Sequence, residues 1–163
     1  RGTFFMIGGQ AVKFADTALS VAMRGHEVGN HTLDHKRSGE VMATEIAINN
    51  DLLAVLTGTR PRVFRSPGMV RSEYVQTELK RLGMCNFFGN ILPGDTLYPT
   101  VQAKELCDAF KRQLQPGAIV MLHDGGSHAP TVAAVPCMAQ YAASKGYKMV
   151  TLSELMGQGY WTY

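Results

Sequence analysis

Six times along the chain a short apolar run gives way to a polar turn and then to a longer segment with helical spacing. That alternation constrains the fold more than any other feature. Parallel strands need a crossover of a dozen or more residues between them, normally a helix, so the pattern predicts an α/β architecture. The strand-like runs are Thr3–Ile7, His26–Gly29, Arg62–Phe64, Met84–Phe88, Ala118–Leu122 and Lys148–Leu152. Helices are expected over Ala11–Met23, closed by Arg24-Gly25, and over Glu40–Thr57, stopped by Gly58. Ser72 is placed to cap Glu73–Leu82, which Gly83 ends. Thr100–Gln113 stops before Pro116-Gly117. Pro136 belongs in a first helical turn, which predicts a helix from about there to Lys145. Periodicity alone leaves barrel and open sheet undecided.

In either architecture, reactive groups collect at the C-terminal ends of the strands. Just after the six runs stand Gly8-Gly9, His31 and His35, Arg65-Ser66-Pro67, Asn90 to Asp95, His123-Asp124 and Ser153-Glu154. Histidines, an arginine and aspartates therefore crowd one set of loops.

Composition removes several other classes. At 163 residues, with no linker and no repeat, the chain is expected to form a single domain, 1–163. No apolar run approaches the ~20 residues that span a bilayer. The net charge of +3, without a basic block interleaved with aromatics, gives no reason to expect nucleic acid as a partner. Cys85, Cys107 and Cys137 form no CxxC pair and read as small core or half-buried residues that say little about compartment. The chain opens Arg1-Gly2-Thr3-Phe4-Phe5, without an initiator methionine or a signal-type segment. It is expected to be cut from something longer, its targeting information lost.

Three stretches carry chemistry. In His31-Thr32-Leu33-Asp34-His35 two imidazoles stand four positions apart, outside any apolar run. They are candidate metal ligands on a loop or first helical turn, with Thr32 or Asp34 able to orient a ring. Two exposed histidines beside Lys36 and Arg37 are the plain alternative. In Phe64-Arg65-Ser66-Pro67-Gly68 a stiff turn fixes where Arg65 points, and a guanidinium there can hold a carboxylate ionised. Taken alone, an ordinary surface arginine at a strand end is the plainer reading. The nearly all-apolar run before His123-Asp124-Gly125-Gly126 sets a histidine at the edge of a buried sheet. Held by a carboxylate, it can act as a general acid; otherwise it is a core histidine bonded to backbone. His26 and His128 read as structural or exposed.

Taken in order, these segments resemble the polysaccharide deacetylase family, the NodB-homology or carbohydrate esterase 4 family. The resemblance runs through Thr3–Gly8, Gly25–His35, Arg65–Gly68, Leu122–Asp124 and Gly146–Leu155. It implies a distorted (β/α) barrel and a metal-dependent hydrolase that removes acetyl groups from N- or O-acetylated sugars of a polysaccharide or oligosaccharide, such as peptidoglycan, chitin oligomers or xylan. The metal implied is a divalent ion, zinc first, with cobalt or another divalent ion as substitutes. By the same resemblance, His31 and His35 are metal ligands, and Arg65 orients the base carboxylate. His123 is the general acid and Leu122 lines the acetyl pocket. The turn after Pro67 offers a backbone N–H to the carbonyl oxygen.

Two departures from the pattern matter. The family's opening Thr-Phe-Asp-Asp-Gly strand, which supplies the base and a third metal ligand, has no counterpart before Thr3. A preceding segment is therefore expected to supply those aspartates, with the first β/α unit absent from these residues. The segment usually rich in aspartate and tryptophan reads Gly89–Thr96. Asp95 is the only acid there to pair with His123, and Trp161 is no substitute for the missing tryptophan by position. An exported or cell-envelope location follows from the resemblance only. A non-catalytic saccharide-binding domain and a hydrolase of small cyclic amides are the competing functions.

Overall fold

The Thr-Phe-Phe run forms strand β1 (Thr3–Met6), the start of a parallel sheet whose strands come in sequence order. A computed structural model describes residues 1–97, 99–126 and 128–157. Trp161 lies outside them. The chain divides into two compact units, Arg1–Phe87 with Val150–Tyr163, and Phe88–Met149.

In the first unit β1 pairs with β2 (Glu27–Asn30), Thr3 opposite Glu27 and Met6 opposite Asn30. Strand β3 (Val63–Phe64) meets β2 at Asn30 and pairs with β4 (Cys85–Asn86) on its other side. Helices α1 (Gly8–Lys13) and α2 (Ala15–Met23) connect β1 to β2, α3 (Gly39–Thr57) connects β2 to β3, and α4 (Glu73–Leu82) connects β3 to β4. Gly29 is required inside β2, since a Cβ there would lie 2.5 Å from the Phe5 ring. Met42 and Ile46 of α3 pack with Phe64, Val75, Leu79 and Met84, all buried, and Ala11, Ala18, Val28 and Leu53 form a second cluster. Burying apolar side chains of this size contributes about 1.5–3 kcal/mol each.

The helix expected over Ala11–Met23 is two helices. Phe14, at φ −122° and ψ 49°, interrupts it without a glycine or proline to mark the break. The strand expected over Lys148–Leu152 is not formed. Thr151 instead caps α7 (Leu152–Met156), its hydroxyl accepting from the Glu154 N–H at 3.2 Å while Glu154 Oε2 accepts from the Thr151 N–H at 3.0 Å. A helix N-terminus thus takes the backbone groups that a ladder would need. Helix α7 is strapped to the first strands: the Leu152 N–H donates to Thr3 Oγ1 at 2.9 Å, and the Ser153 N–H to Glu27 Oε2 at 3.2 Å.

The second unit holds α5 (Ala103–Gln113) and α6 (Ala129–Ser144) around Ile91, Leu106, Phe110, Ala134 and Met138. The strand expected over Ala118–Leu122 is reduced to one parallel bridge, Val120 with Ile91. The Ile119 N–H goes to the Asn90 side chain at 2.8 Å, so a side chain occupies what would be a ladder position. Helix α6 begins earlier than expected. Pro130 takes its first turn and Pro136 lies inside, on the exposed side. The spacing Ala134, Met138, Ala142 buries the opposite face. Cys107 and Cys137 are joined in a disulfide between α5 and α6, Cα atoms 6.1 Å apart, and are not the independent core residues expected.

Candidate active site

The His31–His35 segment is a loop over the C-terminal ends of the first three strands. The His31 N–H donates to Met6 O at 3.1 Å, and the Gly8 and Gly9 N–H groups donate to Thr32 O and Leu33 O at 3.0 and 2.9 Å. Thr32 (φ 66°) and His35 (φ 59°) adopt the left-handed conformation, which costs a non-glycine residue about 1–2 kcal/mol and has to be held from outside. The holding groups are identifiable. Thr32 Oγ1 accepts from the His35 N–H at 2.9 Å, and Glu45 Oε2 accepts from the Leu33 and Asp34 N–H groups at 3.0 and 3.1 Å. The curled loop brings the two imidazoles to 4.8 Å between centroids, inclined at 71°.

Beneath the loop lies a buried amide cluster. Asn30 Oδ1 accepts from the Thr32 N–H and from Asn49 Nδ2, both at 2.9 Å. Asn30 Nδ2 donates to Ile46 O at 2.8 Å and to Asn50 Oδ1 at 2.7 Å. Asn30 and Asn49 are fully buried, Asn50 and Glu45 nearly so. Among the described residues Asn49 Oδ1 accepts no hydrogen bond, and a Cβ on Gly8 would approach it to 2.3 Å. None of these four side chains stands out in the sequence as part of a site. The signal was present, because Asn49 falls on the stripe Met42, Ile46, Leu53 that helical spacing buries.

His31 is locked from the side of β3. Its Nδ1 lies 2.5 Å from the carbonyl oxygen of Arg65, which can only accept, so Nδ1 carries a proton and, in the neutral ring, Nε2 has the lone pair. That is the tautomer a metal-ligating imidazole needs, and a backbone carbonyl is a usual partner for its other nitrogen. The donor chemistry of His31 and His35 fits a divalent ion. Asp34 is exposed, and no group of three His, Cys, Asp or Glu side chains able to hold an ion occurs among the described residues. Arg65 carries its guanidinium over the Phe5 ring at 5.1 Å. Pro67 is buried and opens the short turn Pro67–Met69, where Gly68 has φ 61°.

In the second unit the apolar run delivers His123 to Asp95. Asp95 is 3 % exposed and starts a short helical turn, Asp95–Leu97. Its Oδ2 accepts from the His123 backbone N–H at 2.5 Å and from the ring at Nδ1, 3.1 Å away. Burial alone would raise the Asp95 carboxyl. The ring and backbone hydrogen bonds from His123, with the charges of His123 and His128, outweigh it and hold the group below its ordinary value. The His123 side chain keeps 35 % of its surface exposed, so Nε2 is the nitrogen placed for proton transfer. Leu122 is half-buried against the unit's core. Of the residues singled out in the sequence, His31, His35, Arg65 and Pro67 thus belong to the first unit, and Asp95, Leu122 and His123 to the second.

The model of the polysaccharide deacetylase family matches residues 1–87, the leading segment of the first unit. The chain belongs to that family. It is 30% identical over 171 residues to a peptidoglycan-N-acetylglucosamine deacetylase of Bacillus cereus, covering 96% of this chain and 75% of that protein. A chitooligosaccharide deacetylase of Azorhizobium caulinodans is 26% identical, over 92% of this chain and 79% of its own. Among solved structures, a family 4 acetyl xylan esterase from Clostridium thermocellum in complex with a cobalt ion superposes with a TM-score of 0.84 at 25% identity, over 94% of this chain and 76% of that one. A CE4 family pseudoenzyme from Bacillus anthracis gives a TM-score of 0.86 at 23% identity, and the chain spans 55% of its length. The α/β fold of NodB type expected from the resemblance is the fold observed.

Proposed function

We propose that the chain belongs to a metal-dependent deacetylase that removes acetyl groups from N-acetylated sugars of a cell-wall polysaccharide or its oligosaccharides. The observation that carries this is the His31 lock, a histidine whose tautomer is set by the Arg65 carbonyl, beside His35, in a family member. A divalent ion held by His31 and His35, zinc first and cobalt next, would supply Lewis acidity at the acetyl carbonyl and lower the pKa of water to about 7. The remaining donor, and the base carboxylate that Arg65 steadies, are taken to be aspartates outside the described residues.

His123 gives its proton to the departing sugar amine, and Asp95 keeps the ring turned for that transfer. The backbone N–H groups of the turn at Pro67 serve the carbonyl oxygen, and Leu122 contacts the acetyl methyl. Peptidoglycan and chitin oligomers are favoured as substrates because the relatives named above act on them.

Acetate release from N-acetylglucosamine oligomers and from peptidoglycan fragments tests the reading, with the chain alone and with its upstream residues restored. Wild-type protein with restored upstream residues should release acetate in a zinc- or cobalt-dependent way. His31→Ala should lose metal binding, and His123→Ala should lose turnover while keeping metal. A saccharide-binding module without catalysis would instead bind the oligomers equally well with and without His123. Release from allantoin-like cyclic amides in place of sugars would move the function to the competing hydrolase class.

A further inference from the structure

The ring of His128 stacks on that of His123, centroids 5.5 Å apart and planes inclined by 29°. We infer that His128 is a positioning residue for His123: its ring covers one face of the imidazole and holds His123 edge-on to Asp95. This rests on the reading of His123 as the general acid, and His128 touches no reacting atom in it.

Three observations carry the inference. The ring bond from His123 to Asp95 is 3.1 Å long, near the upper end for an N–H···O bond, and the side chain is 35 % exposed. One such bond leaves the ring free to swing about it. The backbone that follows is Asp124-Gly125-Gly126, with Gly126 at φ 65°, so the chain itself supplies little stiffness. The loop is closed instead by its second histidine, whose Nδ1–H donates to Gly125 O at 2.6 Å and so fixes the plane of its own ring.

The position of His128 supports the same role. It is the N-cap of α6, a place where Ser, Thr, Asp or Asn normally accepts a helix N–H, and its side chain makes no such cap. The ring is turned to His123 and away from the helix. A near-parallel stack of this kind passes no proton between rings. It supplies a flat face, which favours one orientation of its neighbour. The charge of His128 also helps keep Asp95 ionised, preserving the acceptor that the His123 ring bond needs.

His128→Asn and His128→Phe separate this from a plain structural role. Asparagine is the better cap and removes the stacking face, whereas phenylalanine keeps the face and cannot cap. Two readouts apply to the protein with its upstream residues restored: the NMR signal of the hydrogen-bonded Nδ1–H of His123, and kcat and KM on N-acetylglucosamine oligomers. His128→Asn should lose the Nδ1–H signal to solvent exchange and lower kcat roughly tenfold with KM unchanged. His128→Phe should keep the signal and stay within about twofold of wild type in kcat. Persistence of the signal in His128→Asn, or equal impairment of the two variants, overturns the inference. Wild-type turnover by His123→Ala would instead refute the general-acid reading, and the NMR comparison would still decide whether the stack orients the ring.

Discussion

Removing the disulfide should weaken the second unit and leave the first nearly untouched. The perturbation is Cys107→Ala with Cys137→Ala. Alanine is chosen over serine because Cys107 is buried in an apolar cluster where a hydroxyl would be costly. The bridge closes a loop with a sequence separation of 30, for which the chain-entropy relation gives about 12 cal/mol/K, or about 3.6 kcal/mol at 25 °C. Against a domain stability of about 5–15 kcal/mol, that is a large fraction. Hydrogen exchange followed by mass spectrometry on the whole chain resolves where it falls. Amides of α5 and α6 that open with their unit should exchange about 400-fold faster, since each 1.4 kcal/mol is a factor of ten. Amides of α3 and α4 should change by less than about twofold, because no covalent loop of their unit is altered. Faster exchange spread evenly over α3 to α6, or none in α5 and α6, would refute the loop-entropy reasoning and the assignment of the bridge to one unit.

Three further outcomes follow from the site. Because Asp95 is held below its ordinary value, it contributes stability that is present above about pH 4 and lost as pH falls through the lowered value. The stability gap between wild type and Asp95→Asn in urea melts should therefore be present at pH 7 and narrow progressively as the pH falls below about 4. Asn30→Leu leaves the Thr32 N–H and two buried amides short of partners, so it should cost about 3 kcal/mol in chemical denaturation and loosen the loop that carries His31. Gly8→Ala drives a methyl to 2.3 Å from Asn49 Oδ1, an overpacking worth about 1–3 kcal/mol, which a lowered melting temperature would register.

The legible part of the molecule was the part written in local pattern. Alternating apolar runs and helical spacing gave β1 to β4 and the bounds of α4, which Gly83 ends in the left-handed conformation, while Ser72 stands at its N-terminus without a side-chain cap. His31, His35, Arg65 and His123 stood out because each follows an apolar run. Asp95 does meet His123, as the shortage of other acids in its segment suggested. What stayed hidden depends on pairing across the chain. The Ile119 N–H is diverted to Asn90, Thr151 begins a helix where a strand was expected, and Cys107 finds Cys137 across two helices. The amide cluster under the loop was hidden for another reason. Asparagine reads as a surface residue until its partners are known, and Asn30 hydrogen-bonds both Asn49 and Asn50.

The strap that ties Leu152 and Ser153 to Thr3 and Glu27 has a bearing on synthesis. The first unit is assembled from two stretches of chain with the whole second unit between them. The contacts concerned join residues 149 and 126 positions apart, which places them among the slowest to form. On the ribosome, at about 5–20 residues per second, β1 waits for several seconds or more after it emerges before its clasp exists.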